Sequence, residues 1–230
     1  MPRARTRKYY PEQKAAPDEN NGGCLFFFGV PLVAGLLTTC WLIAITQNLS
    51  THAAALPISQ PVTRGTISPI FTREVQFWDV EILRWANASS LDPNLVATIM
   101  QIESCGDPNA LSRSGAMGLF QVMPFHFRPG ENGFETEVNA KRGLEYLWGS
   151  LQYANGNPRL AMAGYNGGIG VISRGEWTWP GETQRYVYYG EPIYNDARSG
   201  LSSSMMLNEW YQNYGAGMCG RAADQLGVSH

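Results

Sequence analysis

Histidine is scarce in this 230-residue chain: only His52, His126 and His230 occur, far apart from one another. No pair of them stands at metal-ligand spacing, so no metal is expected. There is neither a phosphate-cradling glycine loop nor a Gly-x-Ser-x-Gly elbow, so no cofactor and no serine-hydrolase chemistry is expected. Charge is also thin, at 16% of residues. Beyond the first 23 residues, 12 basic side chains face 16 acidic ones, which leaves a net charge of −4. That balance gives no electrostatic footprint for a polyanion, and nucleic acid is excluded as a partner. Runs of alternating hydrophobicity long enough for a sheet are absent, as are internal repeats. The fold class is therefore mainly α.

One further absence organises the chain. Residues 24–46 (CLFFFGVPLVAGLLTTCWLIAIT) contain no charge at all. This run is long enough for a helix crossing roughly 30 Å of hydrocarbon. Arg3, Arg5, Arg7, Lys8 and Lys14 precede it, and the next basic residue is Arg64. The asymmetry predicts an N-terminal single transmembrane helix, with residues 1–23 as a cytoplasmic basic arm and everything after the span outside the cell membrane. The rival is a cleaved signal peptide ending near Ala53-Ala54-Ala55, but the apolar run exceeds the roughly 7–15 residues of a signal core. Leu37-Thr38-Thr39-Cys40 loosely matches a lipoprotein site, although apolar residues continue past Cys40. Residues 47–69 are rich in Ser, Thr, Ala and Pro and read as a flexible tether reaching up to roughly 75 Å.

From residue 70 to 230 the signals are those of one helical domain. Val75, Trp78, Ile82 and Trp85 form a stripe at helix spacing. Asp92 and Pro93 read as N-cap and first turn of a helix running to about Ser104. A short helix is expected around Ala116–Met123 and a longer one over Glu135–Tyr153. Asn157-Pro158 opens another, which Gly167-Gly168 closes. Later helices are expected near Glu182–Tyr189 and Ser203–Tyr214, and a small hairpin fits between Gly130 and Phe134.

Glu103 is the most informative residue. It shares a helix face with Val96, Ile99 and Met100, so its carboxylate is costly to ionise and is held in the protonated form that a general acid needs. The bland alternative is a buried glutamate paired with an arginine or capping a neighbouring helix. Cys105 and Cys219 lie in the outside part, where a disulfide is permitted. That bond would tie the end of the Glu103 helix to the C-terminal tail; the alternative is two free buried thiols. Trp177 and Trp179 flank a loop before Pro180, where sugar stacking and core packing are both open.

Four clusters follow in order: Glu103-Ser104-Cys105-Gly106-Asp107-Pro108-Asn109-Ala110-Leu111-Ser112; Gly115-Ala116-Met117-Gly118-Leu119-Phe120-Gln121-Val122-Met123-Pro124; Ala163-Gly164-Tyr165-Asn166-Gly167-Gly168; and Glu182-Thr183-Gln184-Arg185-Tyr186-Val187. Taken as chemistry, they offer one acid, neutral hydrogen-bonding groups suited to hydroxyls and acetamides, and apolar faces for sugar rings. Over Val75–Tyr194 the pattern resembles the catalytic domain of the soluble-lytic-transglycosylase type, within the lysozyme-like superfamily.

The resemblance implies a peptidoglycan lytic transglycosylase with glycan strands as its partner; joined to the anchor read from residues 24–46 it gives a membrane-anchored enzyme on the cell-wall side, its protein partners unspecified. Such enzymes cleave the β-1,4 bond between N-acetylmuramic acid and N-acetylglucosamine and leave a 1,6-anhydro-muramic end. The resemblance gives Glu103 the role of acid and then base, and Ser104 the role of holding substrate or carboxylate. Gln121 and Asn166 would contact sugars, Tyr165 would line the cleft, and Tyr186 would hydrogen-bond near Glu103. Phe120 and Met117 would offer apolar faces. Phe120 stands where methionine is usual, Gly164 where alanine is usual, and Cys105 is a less usual neighbour of the acid. The alternatives are a hydrolytic muramidase or chitinase-like enzyme on the same fold, and a glycan-binding assembly protein without turnover.

Overall fold

Two cap-then-proline pairs start the two helices on which the site is built. The Asp92 carboxylate accepts the Asn94 amide at 2.8 Å, and the Asn157 side chain accepts the Leu160 amide at 3.2 Å, with a proline in the first turn each time. Each cap satisfies a donor that the helix itself leaves unpaired. The computed structural model describes residues 65–228, which belong to one compact unit. The basic arm, the apolar span and most of the tether expected over residues 1–69 lie outside the described residues. Among those described, no helix is long and apolar enough to cross a membrane.

The described residues are mainly helical, without strands. In order they form α1 (Arg73–Gln76), α2 (Asp79–Ser89), α3 (Pro93–Glu103), α4 (Thr136–Tyr153), α5 (Pro158–Gly167), α6 (Gly181–Arg198), α7 (Met205–Trp210), a π-turn (Tyr211–Gly215) and α8 (Ala216–Leu226). Helix α3 packs on α6, α6 on α5, α5 on α4, and α4 on α2. Val96, Ile99 and Met100 are fully buried, as are Val75 and Ile82, so both predicted stripes face the core. Each such side chain contributes roughly 1.5–3 kcal/mol on burial.

Several expectations are corrected. The Val75–Trp85 stripe is not one helix. The chain leaves helical geometry at Trp78, whose indole N–H donates to the Gly106 carbonyl at 2.9 Å. Residues 116–123 form no helix: Gly115, Gly118 and Gln121 have positive φ, and Met117 makes isolated antiparallel bridges to Leu111 and Val122. The Gly130–Phe134 segment holds turns rather than a hairpin. Helix α6 runs well past Tyr189, carrying Pro192 inside it. Helix α8 escaped the sequence reading because its buried stripe is built from Cys219, Ala222 and Ala223, which carry little apolar signal.

Candidate active site

Glu103 is the last residue of α3. The helix stops there because Cys105 and Gly106 adopt positive φ, turning the chain away. The Glu103 side chain is partly open to a cleft, but protein surrounds the carboxyl on its other sides. Burial pushes its pKa up to about 8; the Tyr186 hydroxyl pulls against this shift and the nearby Glu182 charge adds to it. The Tyr186 hydroxyl is buried and makes no fully formed hydrogen bond, so its influence falls on the Glu103 carboxyl beside it. Burial, and then the Glu103 charge, raise Tyr165 and Tyr186 well above the ordinary phenol range. Both phenols thus stay protonated and neutral around the acid.

A buried side chain makes three of the hydrogen bonds that hold the loop carrying Gln121. Asn139, on α4, accepts the Phe120 amide at 2.9 Å and donates to the Met117 and Gly133 carbonyls at 2.7 and 2.8 Å. A Cβ on Gly118 would meet that same amide group at 2.6 Å, and Gly118 sits at φ +70°, so only glycine fits. Gln121 is strained at φ +44°, a cost found where geometry serves a site. Its Nε2 donates to the Ala110 and Gly118 carbonyls, both at 3.1 Å. Its Oε1 is left as an acceptor at the cleft wall. Asn166 is the complement: its Oδ1 accepts the Thr183 hydroxyl at 2.8 Å, which leaves the Nδ2 donor uncommitted.

Two cavities meet at the acid. One, of about 270 Å³, is lined by Asn166, Glu182, Tyr186 and Trp210. The other, of about 570 Å³, is lined by Asp107, Asn109, Leu111 and Arg221. Glu103, Gln121 and Met218 belong to both. A separate cavity of about 860 Å³ beside Trp148 and the Arg84–Glu137 ion pair does not include Glu103.

The structure brings Glu103, Gln121, Asn166 and Tyr186 together and places the other expected residues behind them. Ser104 is fully buried; its hydroxyl donates to the Leu119 carbonyl at 2.7 Å and accepts the Gly106 amide at 3.1 Å, so it holds backbone rather than substrate. Phe120 is likewise fully buried, edge-on to Trp85, and presents no face to a sugar. Met117 packs under Gly133, outside the two cavities. Tyr165 donates to the Phe120 carbonyl at 2.7 Å and so braces the Gln121 loop.

Two contributors escaped the sequence reading. Asn139 is a polar residue on the buried face of α4, the same signal that singled out Glu103. The α8 wall, with Met218 and Arg221, carried no comparable signal. It is fixed by the Cys105–Cys219 disulfide, with Cα atoms 5.0 Å apart, and the Gln101 amide donates to the Cys105 sulfur at 3.1 Å. Glu74 approaches both sulfurs, but their mutual bond leaves neither as a thiolate ligand.

Residues 81–178 match the family model described as "Transglycosylase SLT domain". The transglycosylase of Enterobacteria phage PRD1 is 33% identical over 118 residues, covering 49% of this chain and 43% of the relative. The membrane-bound lytic murein transglycosylase C of Haemophilus influenzae (strain PittEE) is 34% identical over 152 residues, covering 55% of this chain and 42% of the relative. The chain thus spans less than half the length of these curated relatives. A solved structure of an inactive mutant of the lytic transglycosylase Slt from Pseudomonas aeruginosa aligns with TM-score 0.45 and 24% identity, covering 53% of this chain and 24% of the other.

Proposed function

From the match of residues 81–178 to the transglycosylase SLT domain model, we propose that the chain carries a lysozyme-like domain and cleaves the glycan strands of peptidoglycan as a lytic transglycosylase. The observation that carries this reading is the place of Glu103 at the junction of two cavities, where burial raises its pKa and favours the protonated form. A polymer laid through both places a glycosidic bond at the acid.

Glu103 gives its proton to the leaving glycosidic oxygen as the C–O bond breaks, and an oxocarbenium-like centre develops on the muramic ring. The carboxylate so formed takes the proton of the muramic C6 hydroxyl, whose oxygen bonds to C1 and closes the anhydro ring. An intramolecular nucleophile acts at high effective concentration, so no water is consumed. Tyr186 stabilises the charged carboxylate between the two transfers. The acceptor Oε1 of Gln121 and the donor Nδ2 of Asn166 suit the N–H and C=O of an N-acetyl group.

Hydrolysis is the second reading, and one observation favours it: Glu182 lines the same cavity as Glu103 and supplies the second carboxylate that a hydrolase needs. Mass spectrometry of products from purified sacculi separates the two readings. The anhydro product lacks the water that a hydrolytic product retains. Release of hydrated ends only overturns the transglycosylase reading, and unchanged release by Glu103→Gln overturns both. Relatives named membrane-bound support membrane association, and the uncharged 24–46 run with its basic N-terminal flank is the ground for reading it as a single-pass anchor with the domain on the cell-wall side.

A further inference from the structure

We infer that the saccharide site continues beyond the Glu103 cavity into an aromatic cleft on α6, where Trp177, Tyr188 and Tyr214 bind N-acetylated sugar units distant from the bond that is cut. This rests on the glycan reading above.

The cleft encloses about 860 Å³ and adjoins the Glu103 cavity, with Arg185, Tyr189 and Tyr214 lining both. Its exposed aromatics are not core residues: Trp177 is 86% exposed, Tyr188 54% and Tyr214 53%. Neighbouring Trp179 does the structural work, buried with its indole N–H donated to the Val171 carbonyl at 2.9 Å. Trp177 is nonetheless held in place. A Cβ on Gly175 would lie 2.4 Å from its indole, so the ring rests across the bare glycine. Tyr188, Tyr189 and Tyr214 form a chain of edge-on contacts leading back towards the acid.

The polar groups fit the edges of a sugar. Gln184 Nε2 donates to the Trp179 carbonyl at 2.9 Å, which leaves its Oε1 as an acceptor. Arg159 is clamped by Glu176 and Glu191, and the Arg185 guanidinium lies over the Tyr214 ring at 5.5 Å. Two arginines against two glutamates leave the cleft without net charge, which disfavours a polyanionic occupant. Large exposed apolar surface rimmed by polar groups marks a binding groove. Because the cleft shares a wall with the acid's cavity, a polymer leaving that cavity past Tyr214 meets it next, which makes the occupant the same polymer. The family match ends at residue 178, so the α6 part of this wall lies beyond the matched residues.

The test compares binding of chitotriose and chitohexaose to the full-length Glu103→Gln protein, with and without the pair Trp177→Ala and Tyr188→Ala, by titration calorimetry. Lengthening the ligand should tighten binding about tenfold in the parent and less than about twofold in the aromatic-deleted protein. Circular dichroism checks that the substituted protein is folded, as the exposure of both side chains predicts. An equal gain with length in both proteins overturns the distal site and leaves the Glu103 reading standing. Failure of both oligomers to bind the parent overturns the distal site and the glycan reading together.

Discussion

Ser104 Oγ lies 2.7 Å from the Leu119 carbonyl and fastens the residue after Glu103 to the loop that presents Gln121. A buried hydroxyl thus ties the acid's end of α3 to its partner loop, beside the Asn139 and Tyr165 contacts that hold the loop itself. Ser104→Ala strands the Leu119 carbonyl and the Gly106 amide, a cost of about 1–3 kcal/mol for each buried group left unpaired. The expected outcome is a lower midpoint in urea and a reduced kcat. An unchanged midpoint contradicts the assignment.

Tyr186 favours the charged form of Glu103, opposing the effect of burial. Tyr186→Phe removes that support, so the Glu103 pKa should rise further. The Tyr186 hydroxyl makes no fully formed bond in the resting site, so the loss falls short of a full charged hydrogen bond and turnover on sacculi should drop by up to about tenfold. The alkaline limb of the pH–rate profile should move upward; a downward shift is incompatible with the geometry.

The raised acid also ties stability to pH. Folded Glu103 holds its proton up to about pH 8, whereas its reference value is 4.5. Between those values the native state binds more protons than the unfolded state, so stability falls as pH rises through the window and levels off above it. The loss is on the order of a few kcal/mol. Glu103→Gln should flatten the dependence and be the more stable protein at pH 9. Thermal melts of the two proteins at pH 5 and pH 9 measure this.

Cys105 and Cys219 close a loop with a sequence separation of 114 residues. Cys219→Ser should lower stability by up to about 4 kcal/mol through the freed unfolded chain. It should also depress activity, because Met218 beside it walls both cavities at the acid. Melting curves with and without reductant check the first effect, since reductant should matter only to the parent.

The helices of the domain were largely legible because caps and apolar spacing are local signals: Asp92-Pro93 and Asn157-Pro158 start helices where their chemistry says they must. The 116–123 loop was not legible. Its apolar residues fit a helical period, and only the positive φ of Gly118 and Gln121, enforced by Asn139 from a distant helix, overrides it. Phe120, whose amide this clamp holds, lies in the core for the same reason, while Ser104 is drawn inward by its bonds to the Leu119 carbonyl and the Gly106 amide. Glu103 stood out because a carboxylate on an apolar stripe is costly wherever the stripe packs. The partners that α8 supplies had no such local cost to reveal them.

Catalysis by Glu103 as an acid requires that it be uncharged when it meets its substrate. Carbon-13 NMR of glutamate side-chain carboxyls in the full-length protein, with the Glu103 signal identified by its loss in Glu103→Gln, titrates that group alone. A midpoint near the value of about 8 set by burial is predicted. A midpoint at the ordinary value of 4.5 contradicts the account.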